Sequence, residues 1–342
     1  MLVNKSKLQE ALGVVRPGLA KKEEVEQSTS FAFINGRVVT YDDDISISHP
    51  VEGLDLEGAI ESDKLYQLLT KIKPKKDQKE EELEIDIEIE GNEVLVTSGR
   101  IKAGLALQTE IKLPLAEEIE EKGKFKKLPD DFLKFAAMCI PSCGTVKTKP
   151  LLMCVHVNKE GYIEASDGYR ITHCEFPTQF PVGTFLLPSK SARLMLTLQP
   201  ISIAEGKGWI HFKTTYGTIL SCRILADAFP DTAPYLAGKG KQIIFPRSIN
   251  EVLERAGVFT SDNLIDVHLE DKKLKISAKF ETGWFKEEVN TRYEDEVIHF
   301  KINPALLKGI LKETQSGELA KNKMLFRGEG WIYMTTLTAE KE

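Results

Sequence analysis

Apolar residues recur at helical spacing in three short stretches of the chain: Ser6 to Leu12, Asp131 to Ala137 and Glu251 to Gly257. Matching Leu8, Leu133 and Leu253 gives offsets of 125 and 120 residues. A second amphipathic pattern follows each of these: Ser62 to Ile72, Pro188 to Leu198 and Asn303 to Leu311. Leu68, Met195 and Ile310 lie 127 and 115 residues apart. Two helices at corresponding places in each third make a long-period repeat, and such a repeat outweighs any local reading.

Between these stretches the period changes to two, the mark of strands with one buried face. Leu83, Ile85, Ile87 and Ile89 alternate with charged residues before Gly91-Asn92 turns the chain into Val94-Leu95-Val96. Phe31 to Thr40 reads as a hairpin around Asn35-Gly36, a pair that tolerates the positive φ of a type I′ turn. Val155 and Val157, Gly161 to Ala165, Ile210 to Thr214, Ile219 to Ile224, Val267 and Leu269, and Leu274 to Ala278 extend the pattern. The expected fold is α+β: three repeated units of two helices packed on antiparallel sheet. The units are expected at 1–124, 125–241 and 242–342, with Phe125 to Pro129 and Lys239 to Pro246 as connections.

Composition sharpens this. The 342 residues include 46 basic and 52 acidic side chains, a formal charge of -6, which argues against an ordinary nucleic-acid-binding domain. The acidity is uneven: the expected units carry -9, +5 and -2. Acidic runs such as Asp42-Asp43-Asp44 and Glu117 to Glu121 stand against Lys21 and Lys22, against Lys71, Lys73, Lys75, Lys76 and Lys79, and against Phe176 to Ala226, where Glu205 is the sole carboxylate. Lys64 and Lys71 share a helical stripe, as do Lys190 with Arg193 and Lys301 with Lys308 and Lys312. No aromatic residues interleave with these cations, so the contact they suit is electrostatic, to phosphates, and indifferent to base sequence. No run of about 18 apolar residues or signal-like start occurs, and five cysteines without framework spacing suit a reducing, cytoplasmic setting.

Catalytic chemistry finds little purchase. Cys139, Cys143, Cys154, His156, His173 and Cys174 lack the convergent spacing of a zinc site, so no metal is expected. Cys139 is expected on the buried side of its helix and His156 outward on a strand. His173 and Cys174 point to opposite faces of a strand, which argues against a nucleophile and base pair. Neither a P-loop nor G-x-G-x-x-G is present, so no nucleotide cofactor is expected.

Glu164-Ala165-Ser166-Asp167-Gly168-Tyr169-Arg170-Ile171 resembles a segment in the middle domain of the bacterial DNA polymerase III beta subunit family, the sliding clamps. Val94 to Arg100, Leu187 to Lys190, Phe229-Pro230-Asp231, and Arg255 to Ser261 with Leu274 to Ser277 resemble further segments in the same order. The first and last thirds are short for that family, which suggests a divergent, bacteriophage-like version. The resemblance implies a non-enzymatic processivity factor that encircles duplex DNA. Two chains would join head to tail into a ring of six units, helices lining the hole.

By the same resemblance, the dimer contact falls on Ala103 and Leu105 of one chain and Val258 and Phe259 of the other. Ala103 stands where a large aromatic is common. A groove for short peptides from a DNA polymerase and an ATP-dependent clamp loader falls on Leu151, Ser166, Gly168, Tyr169, Arg170, Ile171, Pro230, Pro234, Tyr235, Met334 and Leu337. Contacts to double-stranded DNA fall on Lys21, Lys22, Lys71, Lys147, Lys149 and Lys190. The alternative reading is a clamp-like peptide-binding module that does not encircle DNA.

Overall fold

The computed structural model describes residues 1–74, 78–114, 125–225, 227–260 and 263–338. Lys75, Lys76, the glutamates from Glu117 to Glu121, Ser261 and the tail beyond Thr338 lie outside them. In chain order, β1 (Leu2–Asn4), α1 (Lys5–Val15), β2 (Ser30–Ile34), β3 (Arg37–Tyr41), β4 (Ile45–Pro50), β5 (Gly58–Glu61), α2 (Ser62–Lys71), β6 (Glu84–Glu90), β7 (Glu93–Ser98) and β8 (Ile101–Ala106) come first. The series then runs again as β9 (Lys126–Lys127), α3 (Phe132–Cys139), β10 (Cys154–Asn158), β11 (Tyr162–Ser166), β12 (Arg170–Glu175), β13 (Phe185–Pro188), α4 (Ser189–Leu198), β14 (Ser202–Gly206), β15 (Trp209–Lys213) and β16 (Ile219–Arg223). After the short helix α5 (Ala233–Leu236) it runs a third time: β17 (Lys241–Ile244), α6 (Ile249–Gly257), β18 (Ile265–Glu270), β19 (Lys273–Phe280), β20 (Gly283–Asn290), β21 (Ile298–Ile302), α7 (Pro304–Lys308), β22 (Ser316–Ala320), β23 (Lys323–Gly328) and β24 (Trp331–Thr336).

Local chemistry explains the helix limits. Asn4 caps α1 by accepting from the Lys7 amide at 3.0 Å, and Pro17 follows the last turn. Leu8, Ala11, Leu12 and Val15 form one buried stripe, and the Thr40 hydroxyl donates to the terminal Val15 carbonyl at 2.6 Å. Asn303 caps α7 in the same way, with Pro304 at its first position.

The described chain divides into two compact units. The first comprises Met1–Pro129, Pro181–Gly183 and Lys190–Ala226; the second comprises Asp130–Phe180, Thr184–Ser189 and Asp227–Glu342. The first holds a four-stranded sheet, β1-β6-β7-β8, and an eight-stranded one, β5-β2-β3-β4-β16-β15-β14-β9. Its core sets Phe31, Phe33, Ile45, Ile47 and Ile60 under α1 and α2. The second holds β13-β10-β11-β12-β24-β23-β22-β17 and β20-β19-β18-β21, with α3 against β11 and β12 and α6 against β19 and β20.

The strand orders repeat with a period of eight. Order β5-β2-β3-β4 recurs as β13-β10-β11-β12 and β21-β18-β19-β20, and β1-β6-β7-β8 recurs as β9-β14-β15-β16 and β17-β22-β23-β24. Two antiparallel joints, β4 with β16 and β12 with β24, fuse half-sheets of different periods. The corresponding strands of the remaining pair, β20 and β8, are free edges among the described residues.

Several expectations are corrected. The two stretches read as connections supply strands, β9 and β17, because each begins a half-sheet. Lys301 belongs to strand β21, where Ile298, Phe300 and Ile302 carry the two-residue period up to Asn303. The helical lysine stripes are also less free than expected. Lys64 pairs with Glu61 at 2.7 Å, Lys308 with Glu254 at 2.5 Å and Lys301 with Asp266 at 3.4 Å. His156 alternates to the side opposite the helices but is buried, covered by the segment around Phe229.

Candidate functional site

The turn at Ser166–Arg170 is built by its own side chains. Asp167 accepts from the amides of Tyr169 (2.9 Å) and Arg170 (3.0 Å), and its second oxygen holds Arg170 Nε at 2.9 Å. Gly168 takes φ +92°, a value that strains any side chain, and its amide donates to Ser166 Oγ. The turn pushes Tyr169 out to 67% exposure. Its carbonyl accepts from the Thr336 amide at 2.8 Å, extending the ladder that pairs Ile171 with Met334.

Ile171, Met334, Leu325 and Leu236 form one apolar cluster, with Ile332 packed at its side. Leu236 arrives from α5, which leaves Tyr235 59% exposed beside it, with Pro230 and Pro234 also at the surface. Lys323 Nζ donates to the carbonyls of Tyr235 (2.7 Å) and Ala237 (2.6 Å) and so ties the far end of α5 to β23. Of the sequence candidates, Ile171 and Met334 therefore share one apolar floor, joined by Leu236 of the helix that carries Pro234 and Tyr235 and adjoined by the Ser166–Arg170 turn. Leu337 follows β24, half-buried, with its amide on Asn322 O. Leu151 is half-buried on a single turn, Pro150–Met153.

Arg170 faces the other way. Strand alternation sends Arg170 and Thr172 to the side opposite Ile171. There they line a cavity of about 380 Å³ with Lys134, Met138, Ile310 and Tyr333.

Sequence reasoning gave no role to the buried row beside this floor. Glu164, 3% exposed, accepts from His156 Nδ1 at 2.8 Å, from His173 Nδ1 at 3.3 Å and from the Thr232 hydroxyl. Burial alone would raise its pKa, but these donors more than offset that and hold it at about 2. A depressed carboxylate adds stability that is complete above the ordinary range near 4.5 and is lost as pH falls from there through about 2. Around neutrality this contribution is constant. The available signal was Glu164 itself, which strand alternation assigns to solvent until the Asp227–Leu236 segment covers it.

The cationic candidates are surface residues of both units. Lys21 and Lys22 are exposed after α1, Lys71 is exposed at the end of α2, and Lys147 and Lys149 are exposed in the loop before Leu151. Lys190 is already engaged, its ammonium 2.8 Å from Asp42. At the free edges, Ala103 and Leu105 sit opposite Val96 and Val94 on β7, each half-buried. Phe259 stacks on Phe285 of β20 at 6.1 Å between ring centres. Val258 and Trp284 stand 75% and 71% exposed beside that edge, and Ile101 is exposed on β8.

The cysteines offer no ready nucleophile. Burial pushes Cys139 well above the usual thiol range and Cys154 up to about 11. Among the described residues no three His, Cys, Asp or Glu side chains are arranged to hold a metal ion, and no helix is long and apolar enough to cross a membrane.

No family model and no curated protein matches the sequence. Solved structures do match. The DNA polymerase III subunit beta from Pseudomonas aeruginosa superposes with a TM-score of 0.83 at 17% identity, over 99% of each chain. The DNA polymerase sliding clamp from Bacillus subtilis gives 0.81 at 18%, and the DNA polymerase III beta subunit from Thermotoga maritima gives 0.78 at 17%, each over 99% of both chains. The described chain thus has the fold of those clamps over its whole length.

Proposed function

We propose that this chain is a DNA sliding clamp. Two copies close head to tail around duplex DNA and hold a DNA polymerase through the groove at Ile171 and Met334. The observation that carries this reading is the period of eight strands with its two leftover edges. Within the chain, the third strand of one four-strand set pairs with the last strand of another, twice. By that rule β20 of one copy takes β8 of a second copy, and two such joints close a ring. The free eight-residue edge carries Lys286, Glu287 and Glu288, yet it also exposes Trp284, with Val258 exposed nearby, and those apolar side chains are what a partner strand covers.

The domain division belongs to the same proposal: 1–124, 125–241 and 242–342, each one period of eight strands and two main helices. The clamp structures from three bacteria support it through whole-chain likeness in fold. Inside such a ring, contacts to phosphate stay weak and independent of sequence, so retention is topological and sliding is cheap. Opening falls to a separate ATP-dependent loader. The protein is then a cytoplasmic, non-enzymatic homodimer that needs no cofactor.

Lys147→Glu with Lys149→Glu tests the DNA-facing assignment. The double variant is expected to weaken association with a short duplex by about tenfold at low salt and to flatten its salt dependence, since each phosphate contact adds close to one unit of slope. Peptide binding stays unchanged. Equal duplex affinity in filter binding rules the loop out as a contact.

One observation favours the second reading, a peptide-binding module that never closes: Ala103 is small where it meets the expected joint. Sedimentation showing only monomer at micromolar concentration, with peptide binding intact, would select it.

A further inference from the structure

The groove reading uses Tyr235 as a wall but leaves open what holds that wall in place. The helix carrying it, α5, has four residues, too few to be stable alone. Its far end is tied by Lys323. Its near end begins at Thr232, whose carbonyl accepts the Tyr235 amide at 3.0 Å and whose hydroxyl donates to buried Glu164. Register puts His156, Glu164 and His173 side by side across β10, β11 and β12, on the face that carries Ile171. Phe229 stacks on the His156 ring at 5.0 Å, so the segment the row anchors also covers it, while Tyr162 of β11 packs its ring 4.9 Å from His173.

We propose that Glu164 is a positioning residue for the peptide groove: through Thr232 its buried carboxylate fixes α5 and sets Tyr235 against the Ile171–Met334 floor. This rests on the groove reading. The reason is desolvation. A carboxylate that is 3% exposed must keep its donors, and Thr232 is the one donor that belongs to the covering segment. Removing that hydroxyl leaves Oε2 with His173 at 3.3 Å. Water then competes for the carboxylate, and the near end of α5 lifts. The wall must be re-formed whenever a peptide binds, and that ordering subtracts from affinity.

The test compares Thr232→Val, which keeps shape and loses the hydroxyl, with Thr232→Ser, which keeps the hydroxyl. Two quantities are read in the full chain: amide hydrogen exchange over residues 233–237, and the Kd for a labelled short peptide with leucine and phenylalanine anchors. Thr232→Val is expected to raise both by about tenfold, the loss of one charge-assisted hydrogen bond. Thr232→Ser keeps both near the parent values, and Thr232→Val lowers the unfolding midpoint by no more than a few degrees. Unchanged exchange in Thr232→Val overturns the latch. Faster exchange with unchanged Kd overturns its positioning role. A parent protein that does not bind the peptide at all instead refutes the groove reading, and the inference falls with it.

Discussion

Leu105→Asp is expected to turn the proposed dimer into a monomer. Leu105 lies on the free edge strand β8, opposite buried Val94, so its side chain belongs to the apolar layer that continues across a joint. In the proposed ring that layer meets Phe259 and Phe285 of a second copy. A carboxylate there is buried without a partner, and the head-to-tail arrangement places it in both joints at once. Dimer affinity should fall by at least about a hundredfold, since burying one unpaired charge per joint costs several kcal/mol. The monomer itself should stay folded, because the position is half-exposed in the single chain. Sedimentation equilibrium measures the first effect and thermal unfolding the second. An unchanged dimer would remove β8 from the joint.

The second large effect belongs to the groove. Tyr235→Ala removes the proposed aromatic wall, a side chain 59% exposed in the free protein. Aromatic anchors at the centre of an interface typically contribute 2 kcal/mol or more, so peptide Kd should rise by about thirtyfold. Met334→Ala should act similarly but also destabilise the chain by about 2–3 kcal/mol, because Met334 is 4% exposed within the Ile171–Leu325 cluster. The two variants therefore separate binding from folding. Isothermal titration with the same peptide measures the first, and chemical denaturation measures the second. A Tyr235→Ala protein that binds as the parent does would place the groove elsewhere.

The sequence reveals some of this architecture and hides the rest, for identifiable reasons. Helices with a clear apolar stripe, such as those begun at Ser6 and Ser62, are visible at once. Strands whose outward face meets water are also visible, as at Leu83 to Ile89. The hairpin at Asn35-Gly36 has the expected positive φ at both residues, 50° and 68°. β4 is harder to see because Ser46 and Ser48 are buried, so polarity no longer marks the solvent side. β9 and β17 are hidden because short polar strands look like linkers until a neighbour pairs with them.

The site is divided in the same way. Ile171, Tyr235 and Met334 enter the candidate site through resemblance, whereas nothing in the sequence singles out the Glu164 row. Glu164 and Thr232 are 68 residues apart, and nothing local announces that a loop will roof a carboxylate. Lys190 illustrates the converse: a cation on a helix face reads as free until the fold brings Asp42 to it.

The central claim is closure around DNA, and retention on circular against linear duplex tests it most directly. The protein is loaded onto a nicked circle by an ATP-dependent clamp loader, freed of unbound chains by gel filtration, and followed before and after a single restriction cut. Topological retention predicts slow loss from the intact circle and rapid loss once ends exist, with Leu105→Asp never retained on either. Equal loss from circle and linear duplex would contradict the ring.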